Sequence, residues 1–187
     1  MKVLVLFGGP RLNMNTDTLL KAYLDGIDSS EHEIERINIK NLKISPCTAC
    51  YGCSKNGECI IHDDMDEIYE KMESSDAVIF ASPIFFNSIT GIAKTLIDRC
   101  QIYWTKMFML GARRGVTDKL GVLLLTGGPI HKDRTVPGAT LILDLFFKSI
   151  DAKFKETILI DNTDKISAKD QVDELDKARI QGSKLFD

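Results

Sequence analysis

The chain has 187 residues, 44% apolar and 27% charged, with 24 basic and 27 acidic side chains and a formal charge of −3. Those proportions are those of a soluble globular protein able to bury a substantial core, and they exclude the basic surplus that phosphate neutralisation on nucleic acid requires. No stretch approaches the roughly 20 apolar residues of a membrane helix, and the run from Val3 to Phe7 is too short for the apolar core of a signal peptide.

Residues 2–7 form a short apolar run closed by Gly8-Gly9-Pro10, which predicts a buried strand and a turn. Residues 16–28 place Leu19, Leu20, Tyr23, Leu24 and Ile27 at helical spacing. Residues 33–39 alternate Ile34, Ile37 and Ile39 with polar side chains, imperfectly, and predict a second strand at a sheet edge. A cysteine-rich loop, 47–59, follows. Residues 64–74 predict a helix with Met65, Ile68 and Met72 on one face and Asp63 or Asp64 as N-cap. Residues 76–82 are a continuous apolar strand, and 89–104 a helix with Ile92, Leu96, Ile97 and Cys100 inward. The irregular segment 110–119 predicts a mobile loop. Residues 120–125 are the next buried strand, ending at Thr126-Gly127-Gly128-Pro129. A helix over 136–150, a strand over 155–160 and a helix over 168–185 complete the pattern.

Apolar strands alternating with helices predict a parallel sheet covered on both faces. Five such strands fit one α/β domain, 1–187, with the doubly wound flavodoxin-like order 2-1-3-4-5 in three α/β/α layers. Ligands of such sheets sit at the carboxyl ends of the strands, near the switch point.

The loop after the first strand, Gly8 to Thr18, feeds a helix N-terminus. Unpaired N–H groups and the positive end of the helix dipole would meet an anion there. Arg11 can add a positive charge, and Asn15, Thr16 and Thr18 can donate hydrogen bonds. Neither the dinucleotide nor the Walker signature is present. The plainer reading is a strand-to-helix turn capped by Asn15 or Thr16.

Four of the five cysteines fall within thirteen residues, as Cys47, Cys50, Cys53 and Cys59 with spacing C-x2-C-x2-C-x5-C. A cytoplasmic location is expected, and in a reducing compartment such spacing points to metal or catalysis rather than to structural disulfides. Four readings compete. Three thiols at i, i+3 and i+6 can converge on a [4Fe-4S] cluster that Cys59 completes, with Gly52 and Gly57 letting the loop close tightly. A zinc site is a second, although its usual two separated knuckles would here share Cys50. A redox dithiol, Cys47 with Cys50 or Cys50 with Cys53, is a third. Metal-free thiols are the fourth. The acidic run 63–66 is explained by its place at a helix start. His62 reads as a surface residue and Cys100 as a small core residue. His131 could face a ligand in its loop. Tyr103, Trp104, Met107 and Phe108 are core, an interface or a cofactor cover.

Three segments, GGPRLNMNTDTLL, PCTACYGCSKNGECIIHDDM and DAVIFASPIFFNSITGIAKTLIDR, resemble the NADPH-dependent FMN reductase group of the flavodoxin-like superfamily, and within it the archaeal-type iron–sulfur flavoproteins. They cover most of residues 1–99. The resemblance implies FMN, with its phosphate in the first loop at Gly9, Arg11, Asn15, Thr16 and Thr18. It implies that Pro83, Ile84, Phe85, Phe86, Asn87 and Ser88 lie along the isoalloxazine, with Thr126, Gly127 and Gly128 on its other side. The family usually has Ser where Gly9 stands and Gly where Met14 stands.

An FMN-dependent electron-transfer oxidoreductase coupled to a [4Fe-4S] cluster is the leading expectation. Its donor would be ferredoxin or NAD(P)H and its acceptor a small molecule such as a quinone, with no nucleic-acid or membrane partner. The resemblance also suggests a homodimer or homotetramer. The alternatives are an NAD(P)H-dependent FMN or quinone reductase without a cluster, and a non-catalytic flavodoxin-type carrier.

Overall fold

The computed structural model describes residues 1–112, 118–131 and 135–187. Five parallel strands form one sheet: β1 (Lys2–Phe7), β2 (Glu33–Asn38), β3 (Ala77–Pro83), β4 (Leu120–Thr126) and β5 (Lys153–Ile160). Their order is β2-β1-β3-β4-β5, the flavodoxin-like order expected from the apolar runs. Register aligns Leu6 of β1 with Phe80 of β3, and Phe80 with Leu123 of β4.

Side chains alternate across a strand. Leu4 and Leu6 of β1 therefore enter one core, and Val3, Val5 and Phe7 the other. Helices α2 (Met65–Ser74), α3 (Gly91–Arg99), α4 (Gln101–Phe108) and α5 (Pro137–Ser149) close the first core with Met72, Leu96, Tyr103 and Phe146. Helices α1 (Asn15–Leu24) and α6 (Val172–Ser183) close the second with Leu19, Leu20, Tyr23 and Ala178. Each large apolar side chain so buried contributes about 1.5–3 kcal/mol. The inner strands β1, β3 and β4 are buried almost end to end, which is why they read as unbroken apolar runs. The edge strands β2 and β5 alternate in burial.

The structure departs from the sequence expectations at helix ends. The single helix over 89–104 is two, α3 and α4, divided at Cys100. The Cys100 N–H donates to the Ile97 carbonyl at 2.9 Å, three residues back instead of four. That tighter turn re-phases the chain, so that Arg99, Cys100, Ile102, Tyr103 and Thr105 are all buried. One continuous helix face could not bury so dense a run. The first helix runs Asn15–Leu24 rather than 16–28. The last begins as a 3-10 turn, Ala168–Asp170, before α6. The irregular segment 110–119 includes residues 113–117, which lie outside the described residues. Among the described residues no helix is long and apolar enough to cross a membrane.

Candidate functional site

The first loop leaves the sheet firmly anchored. The Gly8 N–H donates to the Ala81 carbonyl at 2.7 Å, and the Thr90 hydroxyl donates to the Gly8 carbonyl at 2.8 Å. The backbone at Gly9 lies against the Phe7 ring, and a Cβ there would sit 2.5 Å from it. A serine at this position would have to displace the ring. Asn13 turns through a left-handed conformation, φ 56°, and its N–H donates to the Asp17 carboxylate at 2.7 Å. Asp17 is buried and also paired with Arg36 at 2.7 Å and Lys21 at 3.1 Å. Burial alone would raise its pKa; the Asn13 N–H, Arg36 and Lys21 outweigh burial and hold it below the ordinary value.

The N–H groups of Gly9, Arg11, Leu12, Met14, Asn15 and Thr16 donate to no acceptor among the described residues. Gathered before and within the first turn of α1, they suit an anion. Arg11 is exposed beside them. Three of the side chains expected at the anion, Asn15, Thr16 and Thr18, also brace the loop. The Thr18 hydroxyl donates to the Met14 carbonyl at 3.2 Å, and the Thr16 and Thr126 hydroxyls share a 2.6 Å hydrogen bond. Asn15 Oδ1 accepts from the Ala168 N–H at 3.0 Å and the Ser167 hydroxyl at 3.2 Å. The helix cap is Met14 rather than Asn15 or Thr16, and no side chain bonds there. Met14 is extended, φ −113°, a conformation that needs no glycine.

Two further loops close on the first. The Ile84 N–H donates to the Thr126 carbonyl at 2.8 Å. Phe85 and Ser88 exchange backbone hydrogen bonds at 2.9 and 3.0 Å around Phe86 and Asn87, both left-handed at φ 51° and 58°. This is a two-residue turn of the I′ kind, and it leaves Phe86 fully exposed. A left-handed non-glycine residue costs about 1–2 kcal/mol, strain of a kind that gathers at functional sites. The His131 N–H donates to Asp161 at 2.8 Å, and its ring covers Gly127, with Nε2 sealed from solvent and without a partner among the described residues. Segments 8–18, 83–88 and 126–128 thus converge at the carboxyl edge of the sheet.

The cysteines gather elsewhere. The loop after β2 touches the first loop through Lys40, whose Nζ donates to the Pro10 carbonyl at 3.3 Å, and then runs on to α4. There Cys47, Cys50, Cys53 and Cys59 line one pocket of about 440 Å³, walled by Trp104 and Thr105 of α4. Ala49 and Tyr51, on either side of Cys50, are left-handed at φ 53° and 59°, and Gly57 takes φ 77° without strain. Cys53 Sγ lies 3.5 Å from Thr105 Oγ1. The Gly52 N–H holds the Cys50 thiol below the ordinary thiol range. All four are free thiols. Among the described residues no three His, Cys, Asp or Glu side chains converge closely enough to hold a single ion. The donor set nonetheless suits an iron–sulfur centre, since four sulfur ligands on a closed loop share one cavity.

Arg99, Asp17 and Thr90 organise these sites; Thr90 and Arg99 stand in the third segment that carries the resemblance, but sequence reasoning assigned none of the three a role in a site. Arg99 and Asp17 each carried a signal, a charge on the apolar face of a helix three positions from Leu96 or Leu20. Asp63 does more than serve a helix start. It accepts from the Met65 N–H at 3.0 Å, the Ser45 N–H at 2.8 Å and Arg99 at 2.6 Å. His62 is exposed and paired with Asp66, and Cys100 is buried. Tyr103 belongs to the core, whereas Trp104 stacks on Phe108 outside it, with ring centroids 3.9 Å apart.

A family model for NADPH-dependent FMN reductases matches residues 1–154. An iron-sulfur flavoprotein of Archaeoglobus fulgidus is 36% identical over 138 residues, 74% of this chain and 60% of that protein. An iron-sulfur flavoprotein of Methanosarcina thermophila is 34% identical over 128 residues, 68% of this chain and 64% of that protein. The chain thus spans less than two thirds of the length of these relatives. A solved NAD(P)H:quinone oxidoreductase from Methanothermobacter marburgensis superposes with a TM-score of 0.74 at 19% identity, covering 100% of this chain and 96% of that one. At that identity the likeness is one of fold.

Proposed function

Because the chain belongs to the NADPH-dependent FMN reductase family, a family of flavin-dependent oxidoreductases, we propose that it is an FMN-dependent electron-transfer oxidoreductase whose cysteine pocket holds a [4Fe-4S] cluster. One observation carries the reading: a single chain offers both an anion loop of unpaired amides and four thiols lining one pocket. The names of the two iron-sulfur flavoprotein relatives support it. When bound, FMN supplies two-electron acceptance with one-electron release, and a cluster exchanges single electrons.

The residues present have the following roles. The amides of the first loop, from Gly9 to Thr16, and the Arg11 guanidinium hold the FMN phosphate. Asn15, Thr16 and Thr18, which keep that loop in shape, complete the phosphate-binding set. The 83–88 segment flanks the flavin ring on one side, with Asn87 and backbone N–H groups as donors, and Thr126, Gly127 and Gly128 flank it on the other. Cys47, Cys50, Cys53 and Cys59 ligate the cluster. No side-chain acid or base need carry the chemistry, because the protein sets position and potential. Ferredoxin or NAD(P)H is the donor, a small molecule such as a quinone the acceptor, and the active form a homodimer or homotetramer.

A second reading, an NAD(P)H-dependent FMN or quinone reductase with no cluster, is supported by the family description, an NADPH-dependent FMN reductase. Iron, acid-labile sulfide, zinc and FMN per chain, measured on protein purified without oxygen, separate the two. About four iron and four sulfide with one FMN are expected. FMN without iron or sulfide after attempted reconstitution would leave the second reading standing.

A further inference from the structure

We propose that Arg99 serves the cysteine-bound cluster as its positive counter-charge and hydrogen-bond donor. The assignment rests on the cluster reading above and extends it to a residue that ligates nothing. Arg99 is 1% exposed and lines the same pocket as the four cysteines. Apart from the thiols, it is the one ionisable side chain of opposite sign to a thiolate among that pocket's described lining residues.

Its guanidinium is only partly used by the protein. One terminal nitrogen, Nη1, donates to the Ser45 carbonyl at 2.9 Å and to Asp63 at 2.6 Å. The other, Nη2, donates to the Ile61 carbonyl at 2.8 Å. Ser45 and Ile61 stand just before and just after the cysteine segment, so these bonds tie its two ends together. The Nε–H is sealed from solvent and has no partner among the described residues. A clamp needs only the two terminal nitrogens. A buried N–H left unpaired is costly, and a buried cation is retained only where charge and acceptors meet it. A cluster ligated by four thiolates brings both negative charge and sulfur acceptors. Reduction adds an electron, so a nearby cation favours the reduced form and raises the midpoint potential. Asp63, which partly neutralises Arg99, opposes that effect.

The test compares wild type, Arg99→Gln, Arg99→Lys and Asp63→Asn, each purified without oxygen and reconstituted with iron and sulfide. The cluster's midpoint potential is read by electron paramagnetic resonance, with FMN content and circular dichroism measured on the same samples. Arg99→Gln should lower the potential and Asp63→Asn raise it. Arg99→Lys, which keeps the charge but loses the fork of donors, should fall between Arg99→Gln and wild type. A clamp alone would not produce opposite signs. Should Arg99→Gln bind no cluster, Arg99→Lys and Asp63→Asn must still fall on opposite sides of wild type. Unmoved potentials, shifts of one sign, or loss of the cluster from all three variants with FMN retained would overturn the proposal. A wild type that keeps FMN and takes up no cluster would instead overturn the parent reading.

Discussion

At the residue scale, Asp17 shows how a charge inside the fold shapes the first loop, where an anion is proposed to bind. It fixes Asn13 through a backbone N–H, and it is paired with Arg36 and Lys21. Its folded pKa lies below the ordinary value of 3.8. Between the folded and unfolded pKa values the unfolded chain binds more protons, so acid weakens the fold. The carboxylate's contribution is complete above the unfolded pKa and is lost as pH falls through the folded one. Asp17→Asn should therefore cost about 2 kcal/mol near neutral pH, less than a fully buried pair because its basic partners are partly exposed. The gap from wild type should close below about pH 4. Urea unfolding across a pH series reads both. A gap that persists undiminished into strong acid would show that the carboxylate's charge is not what holds the loop.

At the scale of elements, α3 links the sheet to the anion loop through its cap. The Thr90 hydroxyl accepts from the Ala93 N–H at 3.3 Å and donates to the Gly8 carbonyl at 2.8 Å, while the Thr90 N–H donates to Ser82 at 3.2 Å. Thr90→Val keeps the shape and removes both hydroxyl bonds. It should cost about 1–2 kcal/mol in urea unfolding and raise the FMN dissociation constant, with Thr90→Ser restoring most of each. A Val variant as stable as wild type would remove the cap from the account. Strands and helices were legible in the sequence because a sheet covered on both faces demands unbroken apolar runs, and β1, β3 and β4 supply them. The break at Cys100 was not legible, since neither Gly nor Pro marks it. It arises from the tertiary need to bury Arg99 and Thr105 together. Of the candidate site, the four cysteines and the first loop were visible as spacing and as a strand-to-helix turn. The bracing roles of Thr16, Thr18 and Asn15 were not, because their partners Thr126, Met14 and Ala168 are chosen by how the chain packs.

At the scale of the whole molecule, the two sites occupy different regions of one chain, the anion loop at the carboxyl edge of the sheet and the thiols against α4. Between α4 and α5 lies an apolar recess of about 270 Å³ walled by Trp104, Ile142, Leu145 and Phe146. Leu141 and Leu145, one helical turn apart on α5, are 69% and 51% exposed, and Phe108 is 59% exposed beside Trp104. Trp104 also lines the cysteine pocket, so this apolar surface runs up to the thiols. Apolar surface of that kind marks an interaction site, and the occupant proposed is a second copy of the chain, which would bring one copy's thiols towards another's flavin. In a two-fold interface Leu145, half exposed in each copy, is buried twice, for about 1.5–3 kcal/mol in all. Leu145→Glu should then weaken self-association by roughly a hundredfold or more, with FMN content unchanged. Light scattering over a dilution series reads the mass of wild type and variant, and stopped-flow reduction reads whether dissociation slows electron exchange between cluster and flavin. A wild type that is monomeric, yet exchanges those electrons rapidly, would place the whole path within one chain.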